Sequence, residues 1–165
     1  VNLMSYDFYT TGSSAGHHSN LYPSQELEKR ASGHQGFLLF LEAGVPAEKL
    51  VMGVPFYGRS WIMKSAENHG IDMPVEGRAR AGGYTYVKDS MVNKNGFVRY
   101  WDEKAQSPYL FNSETNQLVT YDDEESIALK CEYVIENKMA GMMFWQYASD
   151  PKEYLLDAMN EGLYK

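Results

Sequence analysis

Residues 50–54 read Leu-Val-Met-Gly-Val, a continuous apolar run that indicates a strand buried on both faces. A helix is predicted just before it. Ser32 and Gln35 have the spacing of a capping box at its start, and Gly44 and Pro46 mark its end. Strands that are apolar on both faces and alternate with helices are typical of a parallel sheet covered by helices. The sequence therefore predicts an α/β fold.

The same strand-and-helix pattern recurs towards both ends of the chain. We expect one strand at residues 2–8 and another at residues 142–145. A helix with Asp122 as its N-cap precedes the later strand, and Asp150 followed by Pro151 predicts the start of the helix after it. Three such units do not close a (β/α)8 barrel, which needs about 250 residues, and a chain of this length with an insertion can supply only about three or four of its eight strands.

The stretch from residue 57 to residue 121 does not fit this alternation. It contains short β-rich pieces at 97–101, 109–111 and 118–121, whereas the glycine-rich residues 70–83 predict an irregular loop. A connection from strand to helix usually takes 2 to about 6 residues. We therefore expect this long connection to fold as a small inserted domain that is largely antiparallel.

These patterns divide the chain into three parts: 1–61, two strands with the helix between them; 62–120, the inserted α+β domain; and 121–165, a helix, a strand and a last helix.

Hydrophobic residues make up 44% and charged residues 22%, as in an ordered globular protein. The net charge of −7 argues against a nucleic-acid surface. Cys131 has no second cysteine to pair with, and the opening at Val1 without an initiator Met suggests a processed or truncated segment.

Side chains suited to holding a sugar follow all three predicted strands. Tyr and Asp offer a hydroxyl donor and a charged acceptor, Arg is a forked donor, and Trp presents a flat apolar face. In a barrel these side chains would meet at the carboxyl ends of the strands, where active sites lie. Each also has an ordinary structural explanation, such as a core Trp or a surface ion pair. The candidates are Met4, Tyr6 and Asp7 after the first strand, Tyr57 and Arg59 after the second, and Trp145 at the end of the third.

Four ordered motifs are similar to glycoside hydrolase family 18, the chitinase family. They are Met-Ser-Tyr-Asp-Phe (4–8), Gly-Val-Pro-Phe-Tyr-Gly-Arg-Ser-Trp (53–61), Tyr-Asp-Asp-Glu-Glu-Ser-Ile-Ala-Leu-Lys (121–130) and Gly-Met-Met-Phe-Trp-Gln-Tyr-Ala-Ser-Asp (141–150). The loop at 16–22 also resembles the family. The resemblance implies strands 6–8 of a TIM (β/α)8 barrel, with the chitinase-type insertion between strands 7 and 8.

The resemblance also implies a chemistry, the retaining cleavage of β-1,4 bonds between N-acetylglucosamine units. The substrate's own acetamido oxygen is the nucleophile, an exception to the two-carboxylate scheme. The general acid is a Glu within a D-x-x-D-x-D-x-E motif, which does not occur in this chain. We therefore expect the acid to lie upstream of Val1, and this chain alone to be inactive.

By the same resemblance, Tyr6 would hold the acetamido oxygen and Asp7 would stabilise that group beside the acid. Trp145 would form the floor under the sugar whose bond is broken. The remaining expected contacts with substrate are Met4, Tyr57, Arg59, Trp61, Trp101 and Asp102.

No cofactor or metal is expected. His17 and His18 form an adjacent pair with no third ligand at usable spacing, and we expect them to face solvent. The implied partners are chitin or N-acetylglucosamine oligosaccharides and the N-terminal half of the same barrel, with no nucleic acid and no membrane. The implied location is secreted or extracytoplasmic. Two alternatives stay open: a chitin-binding lectin without the acid, and a hydrolase of peptidoglycan or N-glycan cores.

Overall fold

The computed structural model describes residues 1–10, 12–24 and 31–164, which form two sheets and four α-helices. In chain order the elements are β1 (Asn2–Leu3), α1 (Gly33–Glu42), β2 (Val51–Pro55), β3 (Tyr57–Met63), β4 (Val75–Gly83), α2 (Tyr84–Ser90), β5 (Phe97–Asp102), β6 (Ser107–Asn112), β7 (Gln117–Thr120), α3 (Glu124–Glu136), β8 (Gly141–Trp145) and α4 (Tyr154–Leu163). Short 3₁₀ turns lie at Ala47–Lys49, Glu67–Gly70 and Tyr147–Ser149.

The first sheet is parallel, in the order β1-β2-β8. Its central strand β2 is almost completely buried, as its apolar sequence predicts. The register places Leu3 beside Met52 and Pro55 beside Trp145. β1 is shorter than predicted, because regular pairing ends at Leu3 and the chain then turns. A hydrogen bond from the Ser5 amide to the Leu3 carbonyl closes that turn.

The second sheet is antiparallel, in the order β4-β3-β7-β6-β5, and forms with α2 what we call the inserted lobe. The three predicted β-rich pieces are present as β5, β6 and β7. Two further strands were not predicted. β3 begins at Tyr57, so residue 61 lies inside a strand rather than at a boundary, and β4 occupies much of the stretch that we expected to be an irregular loop.

Helix starts were predicted only approximately. Ser32 caps α1 by accepting from the Gln35 amide at 3.2 Å. For α3 the predicted N-cap was wrong by one residue, because Asp123 and Ser126 form the capping box. α4 begins at Tyr154, later than predicted. The Asp150 carboxylate still accepts a hydrogen bond from the amide of Leu155, in the first turn of α4, at 2.8 Å.

The two sheets meet closely at two points. Only Phe56 separates β2 from β3, and it stacks on Phe144 of β8 with 4.3 Å between ring centroids. At the other point the backbone of Gly83 lies against the turn after β8. A Cβ built on Gly83 would stand 2.3 Å from the carbonyl oxygen of Ser149, so no larger residue fits without movement. An apolar cluster that includes Val54, Val119 and Leu155 joins both sheets to the last helix.

No helix among the described residues is both long and apolar enough to span a membrane.

Candidate active site

The carboxylate of Asp7 and the guanidinium of Arg59 form a two-point ion pair between the segment that follows β1 and the start of β3. Arg59 donates from Nε to Oδ1 at 2.8 Å and from Nη2 to Oδ2 at 2.7 Å. Asp7 has a φ of 62°, a left-handed conformation that takes it out of the extended run predicted for residues 2–8. This pairing of planar groups is the strong, directional form of ion pair.

Asp7 is held in its ionised form. Burial raises the pKa of its carboxyl, but contacts with His18, Arg59 and Tyr57 outweigh burial and hold that pKa well below its usual range. The carboxylate is therefore a fixed negative charge at neutral pH. It remains about one-third exposed, which leaves room for a ligand beside it.

Two tyrosines border this ion pair. The rings of Tyr6 and Tyr57 meet edge to face with 6.4 Å between centroids, and the Arg59 guanidinium lies 5.3 Å from the Tyr57 ring centre. Burial and then the charge of Asp7 raise the pKa of the Tyr6 phenol. Burial and contact with Asp7 likewise raise the pKa of Tyr57. Both hydroxyls therefore stay protonated and are able to donate.

The expectation that His17 and His18 face solvent was wrong. Both are buried, with 1% and 0% of their surface exposed. The Nδ1 atom of His18 lies 3.5 Å from Oδ1 of Asp7, and its ring centre lies 5.6 Å from that of Tyr57. His17 is directed towards the inserted lobe, where Nε2 is 3.1 Å from Oδ2 of Asp102. The two adjacent histidines therefore contact different parts of the protein: His18 lies at the candidate site and His17 contacts the lobe.

A buried ion pair that the sequence analysis missed lies behind His18. The ammonium of Lys130 on α3 contacts both carboxylate oxygens of Asp122, at 2.5 and 2.7 Å, and donates to the Ser19 carbonyl at 2.6 Å. Helical spacing from Ile127 and Val134 places Lys130 on the apolar face of α3, and this spacing was the signal available in the sequence. A lysine on such a face needs a partner when it is buried.

Trp145 and Met4 are at strand ends and largely exposed. Trp145, the last residue of β8, has 58% of its surface exposed, and Met4 has 71% exposed. The peptide bond between Trp145 and Gln146 is cis. Within this chain Trp145 is therefore not part of a packed core, and its substrate role stays a prediction.

The structure does not bring the remaining predicted contacts to this group. Trp61 is buried in the core of the lobe with 4% exposed, packed with Tyr9 and Met63. Trp101 is half-buried on β5, with the Arg99 guanidinium 5.3 Å from its ring.

Asp102 has internal partners. Its carboxylate contacts His17 and accepts from the amides of Lys104 and Ala105, both at 3.0 Å. These contacts account for the position of Asp102 without a substrate.

No cluster of three or more His, Cys, Asp or Glu side chains suited to a metal ion occurs within residues 1–10, 12–24 and 31–164.

Comparison with known proteins identifies similar sequences. Residues 1–150 match the model of the family "Glycosyl hydrolases family 18". The chain is 33% identical to chitinase A1 of Niallia circulans and 34% identical to chitotriosidase-1 of Mus musculus, and both alignments cover 99% of this chain. The alignments cover 26% and 36% of those proteins, so this chain spans about a quarter to a third of their length.

Solved structures agree. A family 18 N-acetylglucosaminidase from Paenibacillus barengoltzii superposes with a TM-score of 0.92 at 41% identity, covering 98% of this chain and 48% of that one. A family 18 chitinase from Cycas revoluta, solved in complex with (GlcNAc)3, gives a TM-score of 0.85 at 30% identity over 98% of this chain and 46% of the other.

Proposed function

This chain belongs to glycosyl hydrolase family 18, and from that premise we propose that it forms strands 6–8 and the inserted lobe of a chitinase barrel. The proposed reaction is the retaining, substrate-assisted cleavage of β-1,4-linked N-acetylglucosamine polymers. The observation that carries the proposal is the group formed by Tyr6, Asp7, Tyr57 and Arg59 at the ends of adjacent strands. In barrel enzymes that end of the strands is where catalytic residues lie.

Tyr6 and Asp7 have complementary roles in this proposal. The acetamido oxygen of the substrate must be held against the anomeric carbon for attack, and such alignment is a large part of catalysis. The Tyr6 hydroxyl, kept protonated by its raised pKa, donates to that oxygen. The ionised Asp7 carboxylate, fixed by Arg59, stabilises the positive charge that develops on the acetamido group as it attacks.

Trp145 forms the floor of the same subsite. Its exposed indole offers a flat apolar face to the C–H groups of one sugar ring. Met4 and Tyr57 complete the wall on the side of β1 and β3. Substrate recognition by the chitinase from Cycas revoluta, whose structure contains (GlcNAc)3, supports an oligosaccharide of this chemistry as the ligand.

The general acid lies outside these 165 residues, because the D-x-x-D-x-D-x-E motif does not occur among them. The chain alone is therefore expected to hydrolyse a chromogenic chitobioside at no meaningful rate, since an acid contributes about 10²–10⁴-fold. A longer form that contains the motif is expected to hydrolyse it and to release the β-anomer first, as detected by proton NMR. Release of the α-anomer, or robust turnover by the chain alone, would overturn the proposal.

A second candidate is an N-acetylglucosaminidase that removes single sugars. The likeness to the Paenibacillus barengoltzii enzyme favours it. Chromatography of the products from a hexamer of N-acetylglucosamine distinguishes the two, because a chitinase releases short oligomers and an N-acetylglucosaminidase releases the monomer.

We also propose an extracytoplasmic location. It is supported by a 34% identical structural neighbour, chitinase ChiW of Paenibacillus, which is described as cell-surface-expressed. A fractionation experiment that recovers the intact protein only from the cytoplasm would contradict it.

A further inference from the structure

His18 is a completely buried imidazole beside the Asp7 carboxylate. Its Nδ1 atom lies 3.5 Å from Oδ1 of Asp7, longer than a hydrogen bond. Within the part of the chain that the structure describes, neither ring nitrogen has a hydrogen-bond partner. A buried polar group without a partner costs free energy, so its presence needs an explanation other than stability.

The charges around His18 favour a neutral ring. Asp7 with Arg59 and Asp122 with Lys130 are two ion pairs, and each pair balances its own charge. A protonated imidazole would add an unbalanced charge to a site without solvent. Burial lowers the pKa of His18, and the attraction of Asp7 and Asp122 does not offset it.

A neutral imidazole carries a proton on only one of its two nitrogens. With the proton on Nδ1, the ring presents a donor to the carboxylate. With the proton on Nε2, it presents a lone pair to a negative charge. The Nδ1–H tautomer of His18 is therefore the favourable one. A movement of about half an ångström turns the 3.5 Å approach into a hydrogen bond, and catalytic hydrogen bonds are often long before substrate binds.

The backbone next to His18 is anchored from another element. Lys130 on α3 donates to the carbonyl oxygen of Ser19, the residue that follows His18, at 2.6 Å. This buried contact with α3 fixes the backbone beside His18, and the imidazole itself is completely buried. The ring of Tyr57 on β3 also lies beside the imidazole of His18, with 5.6 Å between the two ring centres.

We propose that His18 is a positioning residue, which donates from Nδ1 to Oδ1 of Asp7 when that carboxylate takes its working orientation at the substrate. The proposal rests on the function proposed above for Asp7. The neighbouring residue His17 is equally buried, but it has no part in the proposed reaction.

Kinetics of three variants in a hydrolytically active longer form test the proposal. His18→Leu removes the donor and is expected to lower kcat by about 10- to 100-fold, the range for a hydrogen bond to a charged group. KM should change much less. His18→Asn retains an N–H at the same distance from the backbone and should restore much of the loss. His17→Leu is the matched control and should leave kcat unchanged.

The pH profile separates positioning from a structural role. Without the contact to His18, the pKa of Asp7 rises, so the acid limb of kcat/KM should move to higher pH in His18→Leu and not in His17→Leu. An equal loss of kcat in both variants, or a loss with an unmoved acid limb, would show that His18 only maintains the fold.

Nuclear magnetic resonance of the 165-residue chain tests the contact without any substrate or variant. The ¹⁵N shifts of the His18 ring are expected to show the Nδ1–H tautomer at neutral pH, and the Nε2–H tautomer would overturn the proposal. Titration of the Asp7 carboxyl carbon should give a higher pKa in His18→Leu. If no longer form cleaves any N-acetylglucosamine polymer, the proposed function fails, while these two measurements still decide the contact between His18 and Asp7.

Discussion

Replacing Lys130 by Met tests whether the ion pair beneath the candidate site holds α3 in place. Lys130 and Asp122 have only 3% and 0% of their side-chain surfaces exposed. Met keeps most of the aliphatic stem and removes the charge, so Asp122 is left buried without its cation. The Ser19 carbonyl loses a donor at the same time.

The expected loss follows from this environment. Removing one partner of a buried ion pair costs about 3–5 kcal/mol of unfolding free energy. One support remains, because the Ser126 hydroxyl still donates to Oδ1 of Asp122 at 2.7 Å. We therefore expect Lys130→Met to lower the free energy of unfolding by about 3 kcal/mol, the lower end of that range. Adding Asp122→Asn to Lys130→Met should recover part of the loss, since the amide carries no charge to bury.

Urea unfolding followed by circular dichroism measures the change, and Lys152→Met is the matched control. Lys152 contacts Asp89 at 2.6 Å, a similar distance, but with 56% of its side chain exposed. Exposed pairs contribute little to stability, so this variant should unfold at nearly the same urea concentration as the unaltered chain. If both variants lost the same free energy, burial would not be what makes the Lys130 pair important.

Three further predictions concern the site and the lobe. Tyr6→Phe in an active longer form should lower kcat by about 10²–10³ and change KM less, because only the hydroxyl that we propose to hold the acetamido oxygen in the transition state is lost. An unaltered kcat in steady-state assays would exclude Tyr6 from the mechanism. Trp145→Ala should weaken oligosaccharide binding measured by calorimetry without lowering the melting temperature, because 58% of the residue is exposed; a core role would instead cost about 3–5 kcal/mol. For Asp102, burial raises the pKa, but the contact with His17 and two backbone amides lower it to about 2. Its stabilising effect is therefore present above about pH 4, its unfolded value, and lost as pH falls towards 2. Asp102→Asn should flatten acid unfolding over that range, and an unchanged curve would contradict this.

The parallel sheet was predictable because β2 and β8 are continuous apolar runs bounded by helix signals. β4 was not predictable in the same way. Its sequence alternates glycine, alanine and arginine, with little β propensity, and its pairing partner β3 supplies the hydrogen bonds that local sequence does not indicate. The extended conformation of β4 therefore depends on its pairing with β3 and not on the propensity of its own residues.

The candidate site was predicted in part. Tyr6, Asp7, Tyr57 and Arg59 were expected to meet because the ends of parallel strands share one edge of a sheet. The burial of His18 was missed because it depends on a loop folding against α3 and β3, contacts that are distant in sequence. Trp61 shows the opposite case: it was expected to contact substrate, but it lies inside β3 and its side chain belongs to the lobe core.

The single-residue link at Phe56 and the tight approach of Gly83 to Ser149 bear on how the lobe is held against the parallel sheet. A lobe attached by a long linker is able to swing and close over a ligand. Here the chain passes from one sheet into the other through a single residue, and Gly83, which pairs with Tyr57 at the start of β3, rests against the backbone of Ser149 with no space for even a methyl group. The position of the lobe beside β2 and the turn after β8 is therefore set when the protein folds. The selectivity of a ligand site at these strand ends would therefore depend on the side chains that the lobe presents there, and not on closure of the lobe.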